Sequence, residues 1–247
     1  MRETTTIITT WPVKKNDRFS TILESEGMAV LPLPMIEVDF RLFTVPGYLE
    51  DYDWVVFTSK NGAKSFLEQT SFHPHNKIAV IGEGTAAPLE AYGIQPHFVG
   101  SGKTGQEFAD QLTSHTGRGK RILLALGNMA PDTLYQALAP HNRVERVNVY
   151  DTRRPEEVDQ QLLNRIVIDE YDFIAVSSPS AIKNLFEMVS ERLKVPLRIV
   201  SIGETTSHAA RELGLELVKT ATEPSYEGLA KCVVDMVERG EGKRNRR

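Results

Sequence analysis

Tyr52-Asp53-Trp54-Val55-Val56-Phe57-Thr58-Ser59 returns 119 residues later, from position 52 to position 171, as Tyr171-Asp172-Phe173-Ile174-Ala175-Val176-Ser177-Ser178. Each copy is a short unbroken apolar run, opened by Tyr-Asp and closed by hydroxyl residues. A strand without polar alternation is covered on both faces, as in parallel sheets flanked by helices. Working outward, Ile78-Ala79-Val80-Ile81-Gly82-Glu83 matches Ile199-Val200-Ser201-Ile202-Gly203-Glu204, now 121 positions apart (78 to 199). Ala91-Tyr92-Gly93-Ile94 has its counterpart in Glu212-Leu213-Gly214-Leu215, and Phe108-Ala109 in Leu229-Ala230. Ordered blocks at a nearly constant offset indicate an internal duplication.

Helical spacing follows the strands. Phe19, Ile22 and Leu23, then Ala63, Phe66 and Leu67, recur at i, i+3, i+4 and so share one helical face. Ile182, Leu185, Phe186 and Val189 do the same, as do Leu229, Cys232, Val233, Met236 and Val237. Further strands are expected at Ile7-Ile8 and Ile122-Leu123-Leu124. The fold class is therefore α/β: two similar lobes, each a parallel sheet flanked by helices. Two layouts fit the repeat. Sequential lobes would divide near Gly117-Arg118-Gly119. Alternatively, the extended stretches Ile36–Phe40 and Val147–Tyr150 are two crossings of a hinge, which makes one lobe discontinuous.

Composition limits the function. The chain has 247 residues, 40% hydrophobic and 25% charged, which suffices for one large or two compact domains. No run approaches the ~20 apolar residues of a membrane span, and the opening residues show no leader peptide. The single cysteine, Cys232, forms no internal disulfide and suits a reducing compartment. A cytoplasmic monomer is expected. A net charge of −4 argues against nucleic-acid binding; the basic tail Lys243-Arg244-Asn245-Arg246-Arg247 reads as a solvated end.

In open parallel sheets, ligands sit beyond the carboxyl ends of the strands, at helix N-termini. Here those places hold Thr9-Thr10, Thr58-Ser59-Lys60-Asn61-Gly62, Gly82-Glu83-Gly84-Thr85, Ser177-Ser178-Pro179-Ser180 and Gly203-Glu204-Thr205-Thr206. Any one hydroxyl there also serves as a helix cap. Recurrence at equivalent points of both halves favours a shared ligand surface facing a cleft between the lobes.

Other chemistry finds less support. Gly82-Glu83-Gly84-Thr85-Ala86-Ala87 satisfies the dinucleotide fingerprint, yet the acidic ribose-binding residue is missing around His97–Gly102, and the second copy lacks the second glycine. A tight turn is the simpler reading. His73-Pro74-His75 has no accompanying metal ligands. Cys232 lies on an apolar helix face, where it packs. Tyr150, in Val147-Asn148-Val149-Tyr150-Asp151-Thr152, stands at a proposed crossing, where a side chain either faces the cleft or packs.

These residues together resemble the uroporphyrinogen-III synthase family over about residues 6 to 238. The resemblance lies in the order of Thr10-Trp11-Pro12, Phe57-Thr58-Ser59-Lys60-Asn61-Gly62, Val80-Ile81-Gly82-Glu83-Gly84-Thr85, Val149-Tyr150-Asp151-Thr152, Val176–Ala181 and Ile202–Thr206. One departure stands out: the family opening is usually Thr-Arg-Pro, and Trp11 replaces the arginine. The resemblance implies the discontinuous layout, with lobes 1–37 plus 152–247 and 41–147, and a two-stranded connector at 38–40 and 148–151. It implies a cofactor-free lyase that closes hydroxymethylbilane to uroporphyrinogen III with inversion of ring D and loss of water. A transient contact with hydroxymethylbilane synthase goes with it. It implies substrate contacts from Thr58, Ser59, Thr85, Ser178, Thr205 and Thr206, and a proton or hydrogen bond from Tyr150 to the departing hydroxyl. Gly82 and Gly203 of the same loops are added as contacts, and Lys60 and Lys103 as candidates for a locally positive cleft that takes the substrate's carboxylates. A phenol is a feeble acid at neutral pH, so its loss should slow the reaction without abolishing it. The alternative is a non-catalytic ligand-binding or regulatory relative of the same fold, for which Trp11 is the hint.

Overall fold

The computed structural model describes residues 4–11, 17–101 and 105–241, so Pro12, Lys103 and the basic tail lie outside the described residues. The chain divides into two compact units, residues 1–37 with 153–247, and residues 38–152. It begins with β1 (Thr6–Thr9), α1 (Arg18–Ser25) and β2 (Ala29–Pro32). The inserted part runs through β3 (Glu37–Phe40), β4 (Trp54–Phe57), α2 (Lys60–Gln69), β5 (Lys77–Ile81) and α3 (Glu83–Ala91). It continues with β6 (Phe98–Gly100), α4 (Gly105–Thr116), β7 (Arg121–Gly127), α5 (Thr133–Leu138) and β8 (Arg143–Arg153). The chain then returns with α6 (Gln160–Val167), β9 (Phe173–Val176), α7 (Pro179–Val189), β10 (Ile199–Ser201), α8 (Glu204–Glu212), β11 (Leu217–Thr220) and α9 (Tyr226–Arg239).

The discontinuous unit holds a five-stranded sheet ordered β11-β10-β9-β1-β2, parallel throughout. The continuous unit holds a six-stranded sheet ordered β3-β8-β7-β4-β5-β6, parallel from β8 to β6. The repeat pairs β9 with β4 and β10 with β5. On that pairing the two sheets share one spatial order of five strands, although the chain enters each at a different strand. The edge strand β3 lies against β8, where Arg41 N–H donates to the Val149 carbonyl at 2.9 Å.

Side chains alternate along the central strands, and both faces there are covered. Ile8, Ile174, Val176 and Ile199 pack on one side with α7 residues Ile182 and Leu185. Ile7, Phe173, Ala175 and Val200 pack on the other with Phe19 of α1 and Leu229 and Val233 of α9. In the second unit Val55, Phe57, Ile78, Val80 and Leu123 meet Ala63 and Phe66 of α2, while Trp54, Val56, Ile122 and Leu124 meet Phe108 and Leu112 of α4. Full burial of each Val, Leu, Ile or Phe among them stabilises the fold by about 1.5–3 kcal/mol. This two-sided covering explains the continuous apolar runs of the sequence.

No described helix is long and apolar enough to cross a membrane. Cys232 is buried on α9 among apolar neighbours.

The amino ends of the strands are closed by aromatic–cation contacts. The fully buried Tyr52 has its hydroxyl 2.6 Å from the Pro46 carbonyl and 2.5 Å from Glu145 Oε2, with the Arg121 guanidinium 4.7 Å from its ring. Burial first, and then the Glu145 carboxylate, push the phenol up to about 12. In an unfolded chain it titrates near ~10. Above that pH the unfolded state sheds a proton that the folded state keeps, so stability that is intact below ~10 is lost on the way to ~12. Thermal melts from pH ~9 to ~12 are expected to show a falling Tm, and Tyr52→Phe to flatten the fall. Tyr171, also raised by burial, keeps part of the slope. A slope unchanged by Tyr52→Phe would assign the alkaline loss elsewhere.

Candidate functional site

β4 leads through α2 to β5 on one side, whereas its neighbour β7 leads through α5 to β8 on the other. The chain therefore parts between the carboxyl ends of β4 and β7, the switch point where open sheets receive ligands. β4 ends on Phe57 and is followed by half-buried Thr58 and Ser59; exposed Lys60 begins α2. Ser59 caps this helix, its Oγ accepting from Gly62 N–H at 3.1 Å, and it donates to the Tyr150 hydroxyl at 3.0 Å.

Tyr150 arrives there because β8 carries a bulge. Leu126 pairs with Asn148, but Gly127 pairs with Tyr150, so Val149 is an extra residue in the ladder. Bulges of this kind re-aim a side chain beside a site. The extra carbonyl is satisfied twice, by Arg41 N–H and by the buried hydroxyl of Ser65 on α2. The Tyr150 ring then lies across Gly127: a Cβ at position 127 would fall 2.4 Å from Cζ and 2.8 Å from the hydroxyl oxygen. Asn128 N–H donates to the Tyr150 carbonyl at 3.1 Å, and Thr152 N–H donates to Asn128 Oδ1 at 2.8 Å. Gly127, Asn128 and Ser65 were not among the expected site residues. Gly127 ends an apolar run, and Ser65 sits among apolar helix positions; those were the available signals.

At the next turn of the same sheet, Gly82 precedes α3 with φ +71°, a conformation that favours glycine. Thr85 is buried, its N–H bonded back to the Gly82 carbonyl. In the other unit the switch point lies between β9 and β1. Ser178 caps α7, accepting from Ala181 N–H at 3.2 Å, and Thr10 donates through N–H and Oγ1 to the Ala175 carbonyl. Gly203 precedes α8, where Thr205 is exposed and Thr206 buried. Lys103 lies outside the described residues. Trp11 is buried, with its ring centroid 5.0 Å from each of Phe19 and Tyr226. The residue that replaces an arginine thus fills an aromatic cluster.

The helix ends fall into two kinds. α2 and α7 have hydroxyl caps and no acidic residue in the first turn. α3 and α8 begin with Glu83 and Glu204 and have no side-chain cap. A helix N-terminus attracts an anion by about 0.3–1 kcal/mol, and a carboxylate of its own spends part of that field. The capped ends α2 and α7 are the better anion receivers, and the one at α2 adjoins the Tyr150 phenol. His73 and His75, 4.4 Å apart by ring centroid, belong to no metal-ligand group among the described residues.

Fold and site define an open-sheet α/β protein of two units whose duplicated helix ends suit an acidic small molecule, with one phenol at one switch point. The family described as uroporphyrinogen-III synthase HemD matches residues 17–231. The chloroplastic uroporphyrinogen-III synthase of rice is 26% identical over 234 residues, covering 90% of this chain and 77% of that one. The Synechococcus elongatus uroporphyrinogen-III synthase is 24% identical, with 91% and 92% covered. In fold, a mutant uroporphyrinogen III synthase from Thermus thermophilus superposes with a TM-score of 0.65 at 19% identity, covering 95% of this chain and 99% of its own. The Helicobacter pylori uroporphyrinogen-III synthetase gives 0.65 at 16% identity, covering 94% and 99%. The chain belongs to the uroporphyrinogen-III synthase family, and with it to the lyases of tetrapyrrole biosynthesis.

Proposed function

We propose that this chain closes hydroxymethylbilane to uroporphyrinogen III, with Tyr150 assisting departure of the terminal hydroxyl. The carrying observation is the phenol held at the β4/β7 switch point by Ser59 and seated on Gly127. Ser59 accepts from Gly62 N–H and spends its own proton on the Tyr150 oxygen, which leaves the phenolic O–H for the ligand. As the hydroxyl leaves as water, that proton goes with it, and the Ser59 hydroxyl stabilises the phenolate oxygen. The resulting azafulvene is attacked by ring D through its substituted carbon, giving a spiro intermediate. Fragmentation and closure through the unsubstituted carbon invert ring D. Rearomatisation releases a proton, which restores the acid.

The substrate's carboxylates suit helix ends. Ser59, Lys60 and Thr58 are proposed contacts at α2, and Gly82 and Thr85 at α3. Ser178, Gly203, Thr205 and Thr206 are proposed at α7 and α8. Lys103, outside the described residues, is proposed as a positive charge for the substrate's carboxylates. A single, buried cysteine suits a reducing, cytoplasmic setting. Because the free bilane closes unaided to isomer I, direct transfer from hydroxymethylbilane synthase would protect it.

The test generates hydroxymethylbilane in situ, adds the protein, and separates the oxidised uroporphyrin isomers. Predominant isomer III is expected. Isomer I alone, from folded protein, would overturn the proposal.

A further inference from the structure

We infer that Arg146 is a positioning residue for this reaction, fixing the loop that carries the seat of Tyr150; the inference rests on the role proposed for that phenol. Arg146 projects from β8, and its side chain is one-fifth exposed. Its Nε donates to Asn148 Oδ1 at 3.1 Å. Nη1 donates to the Ala130 carbonyl at 3.0 Å and to Asp132 Oδ1 at 2.5 Å. Nη2 donates to the Gly127 carbonyl at 3.0 Å, with the Asn128 carbonyl at 3.4 Å. One guanidinium therefore binds the β7–α5 loop at both ends.

The same loop touches Tyr150. Gly127 lies under its ring, and Asn128 binds its backbone carbonyl. A partly exposed Arg–Asp pair contributes little by itself. Here the planar fork fills three carbonyl positions and a carboxylate at once, a pattern that a lysine ammonium does not reproduce. Gly127 closes the β7 ladder and Asn128 is tied to β8, but the loop beyond them to Asp132 has no ladder, so loss of the fork loosens that loop and lets Gly127 and Asn128 shift with it. A shift of about 1 Å at a reacting group costs up to ~100-fold in rate.

The test is a double-mutant cycle of Arg146→Met and Tyr150→Phe, read as kcat, KM and the isomer III to isomer I ratio. Arg146→Met should lower kcat about ten-fold or more, leave KM within about two-fold, and lower the III to I ratio as unaided closure competes. Arg146→Lys should fall between it and wild type. The double variant should be no slower than Tyr150→Phe, since both act through one group. Losses that multiply, or a wild-type kcat in Arg146→Met, would overturn the inference. A wild-type rate in Tyr150→Phe would refute the role of the phenol and this inference with it. A drop in Tyr150→Phe alone refutes only the present one. Should Arg146→Met melt below the assay temperature, Arg146→Lys and Asp132→Asn carry the same cycle.

Discussion

Tyr150→Phe is expected to turn over about a hundred-fold more slowly than wild type, with KM within about two-fold. The phenylalanine ring keeps the packing across Gly127 and against the core beside Val147 and Val149. Only the hydroxyl is lost, and with it the hydrogen bond from Ser59. General acid assistance contributes about 10²–10⁴-fold; the lower end applies because a phenol is a feeble acid at neutral pH and the free bilane already loses its hydroxyl unaided. The residual product should still contain isomer III, since contacts to the carboxylates remain. Initial rates and isomer ratios at matched protein concentration give the answer. An unchanged rate would remove Tyr150 from the leaving-group step, and complete loss would give it more than proton donation.

Gly127→Ala should approach the same loss by a different route. The added Cβ would stand 2.4 Å from Tyr150 Cζ, well inside contact distance. The obstacle is a side chain, so the ring swings away and the fold survives. Overpacking of this sort costs about 1–3 kcal/mol. The phenol leaves Ser59, and kcat is expected to fall about thirty- to a hundred-fold. In a Tyr150→Ala background the three atoms nearest the methyl are gone, and its stability cost should mostly vanish. Thermal melts of the four proteins measure this directly. Equal costs of Gly127→Ala in both backgrounds would show that the ring is not what requires glycine.

The strands were legible because burial on both faces leaves no polar alternation to confuse with helix period, as in Trp54–Phe57 and Phe173–Val176. The repeat was legible from β4 to β6 against β9 to β11, where the chain order agrees. It was illegible for β7 and β8 against β1 and β2. These occupy matching places in the sheets at much the same offset, 115 and 114 positions (6 to 121 and 29 to 143), but their residues do not match, so residues 5–34 and 120–140 were only candidates for the first unit of each half. Tyr150 was reached from its place at a proposed crossing, and its role through family resemblance. Its setting was not, because a bulge at Val149 is a property of strand pairing and leaves no mark in composition. Arg146 reads as an ordinary polar strand residue, and Asn128–Asp132 lacks the hydroxyl and glycine signature of the other loops. Trp11 suggested a missing cation or a divergent relative; its place between Phe19 and Tyr226 depends on α1 and α9 coming together, a contact between distant parts of the chain.

The strand order also sets a timetable for synthesis. β1 lies between β2 and β9, so its second neighbour does not exist until residues 173–176 have been made. All six strands of the inserted unit are complete by residue 153. A ribosome-bound chain can therefore finish the interior sheet while the first hairpin-sized fragment, β1-α1-β2, waits with one apolar edge unpaired. Waiting edges are where nascent chains aggregate or recruit chaperones. The unit bearing the phenol can thus close while the unit that frames it in the chain still lacks three of its strands.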